Sequence, residues 1–132
     1  MTANDGFEIQ QDLSRNLIQI SWRGHVGVAE SNAAGERVAL LLPQMRRGFT
    51  LLADLSGLES MELDCAPGIA RLMDTLRENG IGTVVRIVPD ATKDIGLNIL
   101  AIVHYRGTVQ VITCHTAEEA GRVLNPPSAS HS

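Results

Sequence analysis

The chain has 132 residues, enough for one domain and too few for a second full core. Apolar residues make up 44% and charged residues 20%, which excludes a disordered or fibrous chain. Net charge is −4 and aromatics are only 3%, which argues against a basic nucleic-acid footprint and a base-stacking platform.

Residues 1–6 are small and polar and are expected to be flexible. MTANDGFEIQ has neither the basic nor the apolar region of a signal peptide, and no apolar run approaches the roughly 18 residues of a membrane helix. Cys65 and Cys114 form no CxxC pair, so reduced thiols in a cytoplasmic protein are the expectation. Phe7–Gln11 alternates weakly as a short strand. Leu17–Trp22 places Ile18, Ile20 and Trp22 on one face of a second strand, joined to the first by a polar hairpin connection. Gly24 and Gly27 are expected to break that strand. A helix follows over about Ala29–Leu42, with Val38, Leu41, Leu42 and Met45 in one stripe and Pro43 ending or kinking it.

Thr50–Leu55 is an apolar run bounded by glycines and reads as a buried strand. The segment from Ser56 to Asp64 reads as a loop. Asp64 is the expected N-cap of the next helix, with Pro67 in the first turn, where a missing N–H does no harm. Ile69, Leu72, Met73 and Leu76 form its apolar stripe, and Asn79-Gly80 stops it. Thr83–Val88 is a β-branched strand. A third helix is expected over about Thr92–Tyr105, then a strand over Thr108–Thr113. Thr116 and Glu119 form a capping box for a last helix to about Leu124. The tail NPPSASHS, residues 125–132, is expected to be disordered. Alternating strands and helices require parallel strands joined by right-handed crossovers, hence a single α/β domain over 7–124.

The chemistry-bearing residues are sparse. No GxGxxG or GxxxxGK[ST] loop occurs, no two histidines stand at i, i+4, and no HExxH appears, so no cofactor or metal site is expected. Cys65 at a helix start could be an activated thiol, but the neighbouring Asp64 opposes that, and a small packing residue is the commoner reading. Cys114 and His115, adjacent in a strand, point to opposite faces and make a poor nucleophile–base pair. Asp54 and Asp64 stand where open α/β sheets bind ligands, yet capping a loop and a helix explains both. Arg46-Arg47 reads as a solvated basic pair.

The order and spacing of these elements resemble the STAS family, the sulfate-transporter and anti-sigma-factor-antagonist domain, over about Phe7–Leu124. The strongest part is LLADLSGLESMELDCAPGIARLMDTLRENG, residues 51–80, with Asp54, Ser56, Gly57, Asp64 and Gly80 in the family's places. Trp22-Arg23-Gly24-His25-Val26 looks like the family's turn after its second strand. The resemblance implies a SpoIIAA-like fold, a mixed sheet of about five strands with about four helices. It implies a non-enzymatic regulatory or scaffold module whose partner is an anti-sigma or kinase-like protein. It places the partner surface at Ser56, Gly57, Ser60, Asp64, Cys65 and Gly68.

In the regulatory branch of the family, Asp-Ser-Ser-Gly-Leu opens the second helix and its first Ser is phosphorylated. The aligned stretch here is Asp64-Cys65-Ala66-Pro67-Gly68-Ile69, which lacks both hydroxyls. The phosphoswitch is therefore expected to be absent there, with Ser56 or Ser60 as the residues that could take it over. A small-ligand pocket, for a lipid-like molecule or a nucleotide, is the alternative function. A small Cys enzyme is a third reading, and a homodimer is possible.

Overall fold

The computed structural model describes residues 6–88 and 109–124. The expected helix over 92–105, the tail 125–132 and all but Gly6 of the N-terminal segment lie outside them. Strands β1 (Phe7–Asp12), β2 (Leu17–Val26), β3 (Thr50–Met61), β4 (Thr83–Ile87) and β5 (Gln110–Cys114) form one sheet in sequence order. β1 and β2 are an antiparallel hairpin, and every later pair is parallel. Helices α1 (Val28–Leu41) and α2 (Ala66–Glu78) are the crossovers from β2 to β3 and from β3 to β4, and α3 (Ala117–Leu124) follows β5.

Period-two alternation divides the core. Ile18, Ile20, Trp22, Leu51 and Val84 pack on one face against Ala34 and Val38 of α1 and Ile69, Leu72, Met73 and Leu76 of α2. The alternate positions Leu17, Leu52, Val85, Ile87 and Cys114 pack on the other face with Ala120 of α3. The expected α2 stripe is buried as read, with Pro67 in the first turn and Gly80 at φ +90° beyond the C-terminus. α1 ends at Leu41, and Pro43 sits in a 3₁₀ turn, Leu42–Gln44, that lets Leu42 stay buried.

Two strands are longer than their local signals suggest. β2 continues past Trp22 to Val26, and β3 continues past Leu55 to Met61. The two remain paired to the end, through register shifts at Ser21/Arg23 and Gly24/His25. Gly24 breaks nothing: at φ +64° it accommodates the irregularity, and the strand resumes. Gly57 faces the same irregularity from β3; a Cβ there would stand 3.3 Å from the Trp22 carbonyl oxygen. Gly27 does end the strand, and it is the N-cap of α1.

Candidate functional site

β4 stops pairing with β3 at Asp54↔Ile87, whereas β2 and β3 run on together as a two-stranded ribbon. This overhang, at the carboxyl ends of the parallel strands, carries most of the residues singled out above. Ser56, Gly57 and Ser60 belong to β3 rather than to a loop, because β2 supplies partners for the backbone there. Asp54 Oδ1 accepts hydrogen bonds from the Ser56 backbone N–H at 2.9 Å and its hydroxyl at 2.6 Å, the expected local loop-capping role.

Asp64 does not cap α2. It lies exposed within a 3₁₀ turn, Leu63–Cys65, and neither the cap of that turn nor that of α2 is closed by a side chain. The extra turn moves the helix start to Ala66, so the Asp64 carboxylate is one residue too early to serve. Cys65 faces inward, 1% exposed, its Sγ 3.7 Å from the Val26 carbonyl oxygen. It supports the surface from beneath and presents no thiol to a partner. Gly68 belongs to the seam between α1 and α2: a Cβ there would stand 2.9 Å from Asn32 Oδ1.

Strand register brings together a group that residue spacing did not reveal. His25 pairs with Ser60 across β2 and β3. Its Nδ1 lies 2.5 Å from Ser60 Oγ, and its Nε2 lies 3.2 Å from Glu62 Oε2. The order hydroxyl–imidazole–carboxylate is that of a nucleophile relay. Here, however, the His25 and Glu62 side chains are 58% and 49% exposed, so water competes for these bonds and nothing desolvates a reacting group. The trio instead holds three polar side chains in fixed register on the surface.

Flanking its members in the chain are exposed Glu59 and Asp64 and the exposed apolar side chains Val28 and Leu63. Arg23, the nearby cation on β2, is turned toward Glu8 at 3.6 Å. This end therefore exposes the acidic side chains Glu59, Glu62 and Asp64 together with the apolar Val28 and Leu63. Glu62, Val28 and Leu63 were not singled out by sequence reasoning, and His25 only as part of the turn after the second strand; only the β2–β3 register joins residues so distant in the chain.

The thiol and metal alternatives have their own geometry. Cys114 is buried in the second core cluster, where burial and the Glu119 charge push its thiol pKa up. The Glu119 backbone N–H donates to Thr116 Oγ1 at 3.1 Å, the expected half of the capping box, while Glu119 Oε1 accepts from the His115 backbone N–H at 2.6 Å, one residue before the N-cap. Among the described residues no group of three His, Cys, Asp or Glu side chains is placed to hold a metal ion. No described helix is long and apolar enough to cross a membrane. Between α2 and the sheet lies an apolar cavity of about 50 Å³, lined by Trp22, Leu55, Met61, Ile69 and Met73 among others. That is room for a water or two, far from the volume of a lipid chain.

No family model matches the sequence, and no curated protein matches it. Solved structures do resemble the fold. The anti-sigma factor antagonist SpoIIAA in its unphosphorylated form matches at 16% identity and TM-score 0.60, over 90% of this chain and 98% of that one. A DUF3478-family protein with a SpoIIAA-like fold from Shewanella loihica matches at 15% identity and TM-score 0.68, over 94% and 98%. An anti-sigma factor antagonist from Mycobacterium paratuberculosis matches at 17% identity and TM-score 0.56, over 94% and 98%. The five-strand order, the antiparallel first hairpin and the helical crossovers thus identify the chain as having the SpoIIAA-like α/β fold.

Proposed function

We propose that the protein is a STAS-type regulatory or scaffold module that binds a protein partner through the overhanging end of β2 and β3. The observation that carries this reading is the ribbon itself. It carries Ser56, Ser60 and His25 beyond the body of the sheet, with Glu62 just past its end and bonded to His25, near exposed Val28 and Leu63 in the chain. A polar cluster together with exposed apolar side chains suits recognition. The chemistry that complements this end is cationic with apolar anchors, and an anti-sigma or kinase-like regulator is the partner class that the structural relatives suggest. Neither Cys65 nor Ala66 offers a hydroxyl, and Cys65 is buried, so binding is constitutive with respect to that position. Control then comes from expression, or from phosphate on Ser56 or Ser60. The module is non-enzymatic, and a lipid-like ligand would require the apolar cavity beneath Trp22 to open several-fold.

The test uses the chain immobilised against lysate of its source, followed by titration of the captured partner. Leu63→Asp is the informative variant, since Leu63 is 59% exposed and its replacement spares the core. Affinity should fall more than tenfold while the melting temperature holds. Unchanged affinity in both Leu63→Asp and His25→Ala would sink this docking surface. An esterase or amidase activity abolished by Ser60→Ala would make the protein an enzyme instead.

A further inference from the structure

The strand beside β2 carries a further feature. Among the described strands β1 lies at an edge of the sheet. The Arg23 N–H donates to the Gly6 carbonyl at 2.8 Å, and the β1–β2 register runs from Phe7↔Trp22 to Asp12↔Leu17 without a shift. Alternation in an antiparallel ladder then assigns the backbone groups. Glu8, Gln10 and Asp12 direct theirs toward β2, while Phe7, Ile9 and Gln11 direct their N–H and C=O groups outward. β1 has no Lys, no Pro and no bulge to blunt its edge, and its charges, Glu8 and Asp12, both stand on one face of the strand.

We propose that β1 is the docking edge for a second copy of this chain, paired antiparallel about a two-fold axis at Ile9 to give a continuous sheet through both copies. In that register Ile9 meets Ile9, Phe7 meets Gln11 and Glu8 meets Gln10 of the second copy. The three outward-facing residues of each strand exchange both backbone bonds, and no like charges stand directly opposite. Charge complementarity favours this register. Asp12 of the second copy falls opposite Gly6, which has no side chain, and Arg23 lies on the far side of Gly6 with its guanidinium already turned toward β1. Asp12 uses Oδ1 for Ser14 and Arg15, while its Oδ2 has Arg15 only at 4.0 Å, so a second cation can approach it. The pairing places Arg23 toward Asp12 twice, once at each end of the interface.

The flank of the edge fits the same occupant. Ala33, Arg37 and Leu41 follow one another at helical spacing on α1, with Arg37 over the Phe7 ring at 5.8 Å and Gln11 Nε2 donating to the Leu41 carbonyl at 3.4 Å. That side of α1 therefore leans on β1, and Ile9, Ala33 and Leu41 along it are only half-buried. A second copy completes their burial.

The experiment measures the mass of the full chain by sedimentation equilibrium over a range of concentrations. The expected result is a reversible dimer. Ile9→Pro removes an outward N–H and leaves the bonds to β2 to its neighbours; it should give a monomer with an unchanged circular dichroism spectrum. Arg23→Asp and Asp12→Arg should each weaken the dimer by about tenfold or more, and the two together should restore it. This exchange decides the matter even if Ile9→Pro fails to fold. A wild-type chain that stays monomeric at the highest concentration it tolerates overturns the proposal. So does a dimer indifferent to both Arg23→Asp and the double exchange.

Discussion

The two ends of the parallel strands are built on opposite principles. At the amino ends, backbone meets backbone. Gly48 N–H donates to the Gly80 carbonyl at 2.7 Å, and Gly82 N–H to that of Phe49 at 2.8 Å. Asn16, at φ +55°, exchanges side-chain bonds with the Arg46 backbone in both directions. Phe49 is wholly buried there, and a Cβ on Gly82 would stand 3.0 Å from the Gly48 carbonyl oxygen. At the carboxyl ends, the β2–β3 overhang displays side chains: the bonds of His25, Ser60 and Glu62 are made at the surface, and Val28 and Leu63 face water. One end is close-packed at Phe49 and Gly82. The other has surface to spare, and that is where recognition can vary without cost to the fold.

The largest expected effect lies at the closed end. Phe49→Ala should lower stability by about 3–5 kcal/mol, the cost of an aromatic-sized cavity, read from denaturant unfolding. Gly82→Ala should cost about 1–3 kcal/mol, because the obstacle is backbone and cannot swing aside. If either variant unfolds at the wild-type midpoint, the amino-end glycine seam is not what holds these strands together. At the open end, Leu63→Asp should stay within about 0.5 kcal/mol of wild type, as exposed positions do. Asp64→Ala should also stay within about 0.5 kcal/mol, where a true N-cap would lose about 1 kcal/mol. A larger loss at Asp64 would restore it to the helix cap.

The smallest effect is pH-dependent and sits beside the same end. The His115 N–H, and then that of Thr116, hold the Glu119 carboxyl pKa below its usual value. A depressed folded-state pKa contributes stability that is present above the unfolded value and lost as pH falls through the folded one. Glu119→Gln should therefore flatten the acid limb of the melting temperature without altering the neutral plateau's shape. An unchanged acid limb would show that this cap opens in solution.

Legibility differed between the same two regions. The apolar stripe of α2 and its stop at Gly80 follow from short-range periodicity and stand as read; so do the strand starts at Thr50 and Thr83, though the first strand runs on past Leu55 to Met61 and the second ends at Ile87, one residue before Val88. Gly24 and Gly57 carry the same local signal as true breaks, yet both lie inside strands because each strand finds its partner in the other. Asp64 carries the signature of an N-cap but lost the role to a 3₁₀ turn that no residue in it announces. Cys65, read both as a packing residue and as part of the docking surface, keeps only the first role.

By itself the sequence determined the class of the protein: an aliphatic α/β domain, its hairpin start, the two described crossover helices and the buried face of α2. These depend on periods of two and 3.6 residues, which any stretch of chain displays locally. Of the stripe expected on α1, Val38 and Leu42 are buried while Leu41 and Met45 are half-buried, and the helix buries Ser31 and Ala34 instead. Only tertiary structure decided how far β2 and β3 extend, which way Cys65 faces, and that His25 meets Ser60 and Glu62. Those outcomes depend on register between segments some thirty-five residues apart, where pairing satisfies backbone groups that local propensity would have left to solvent.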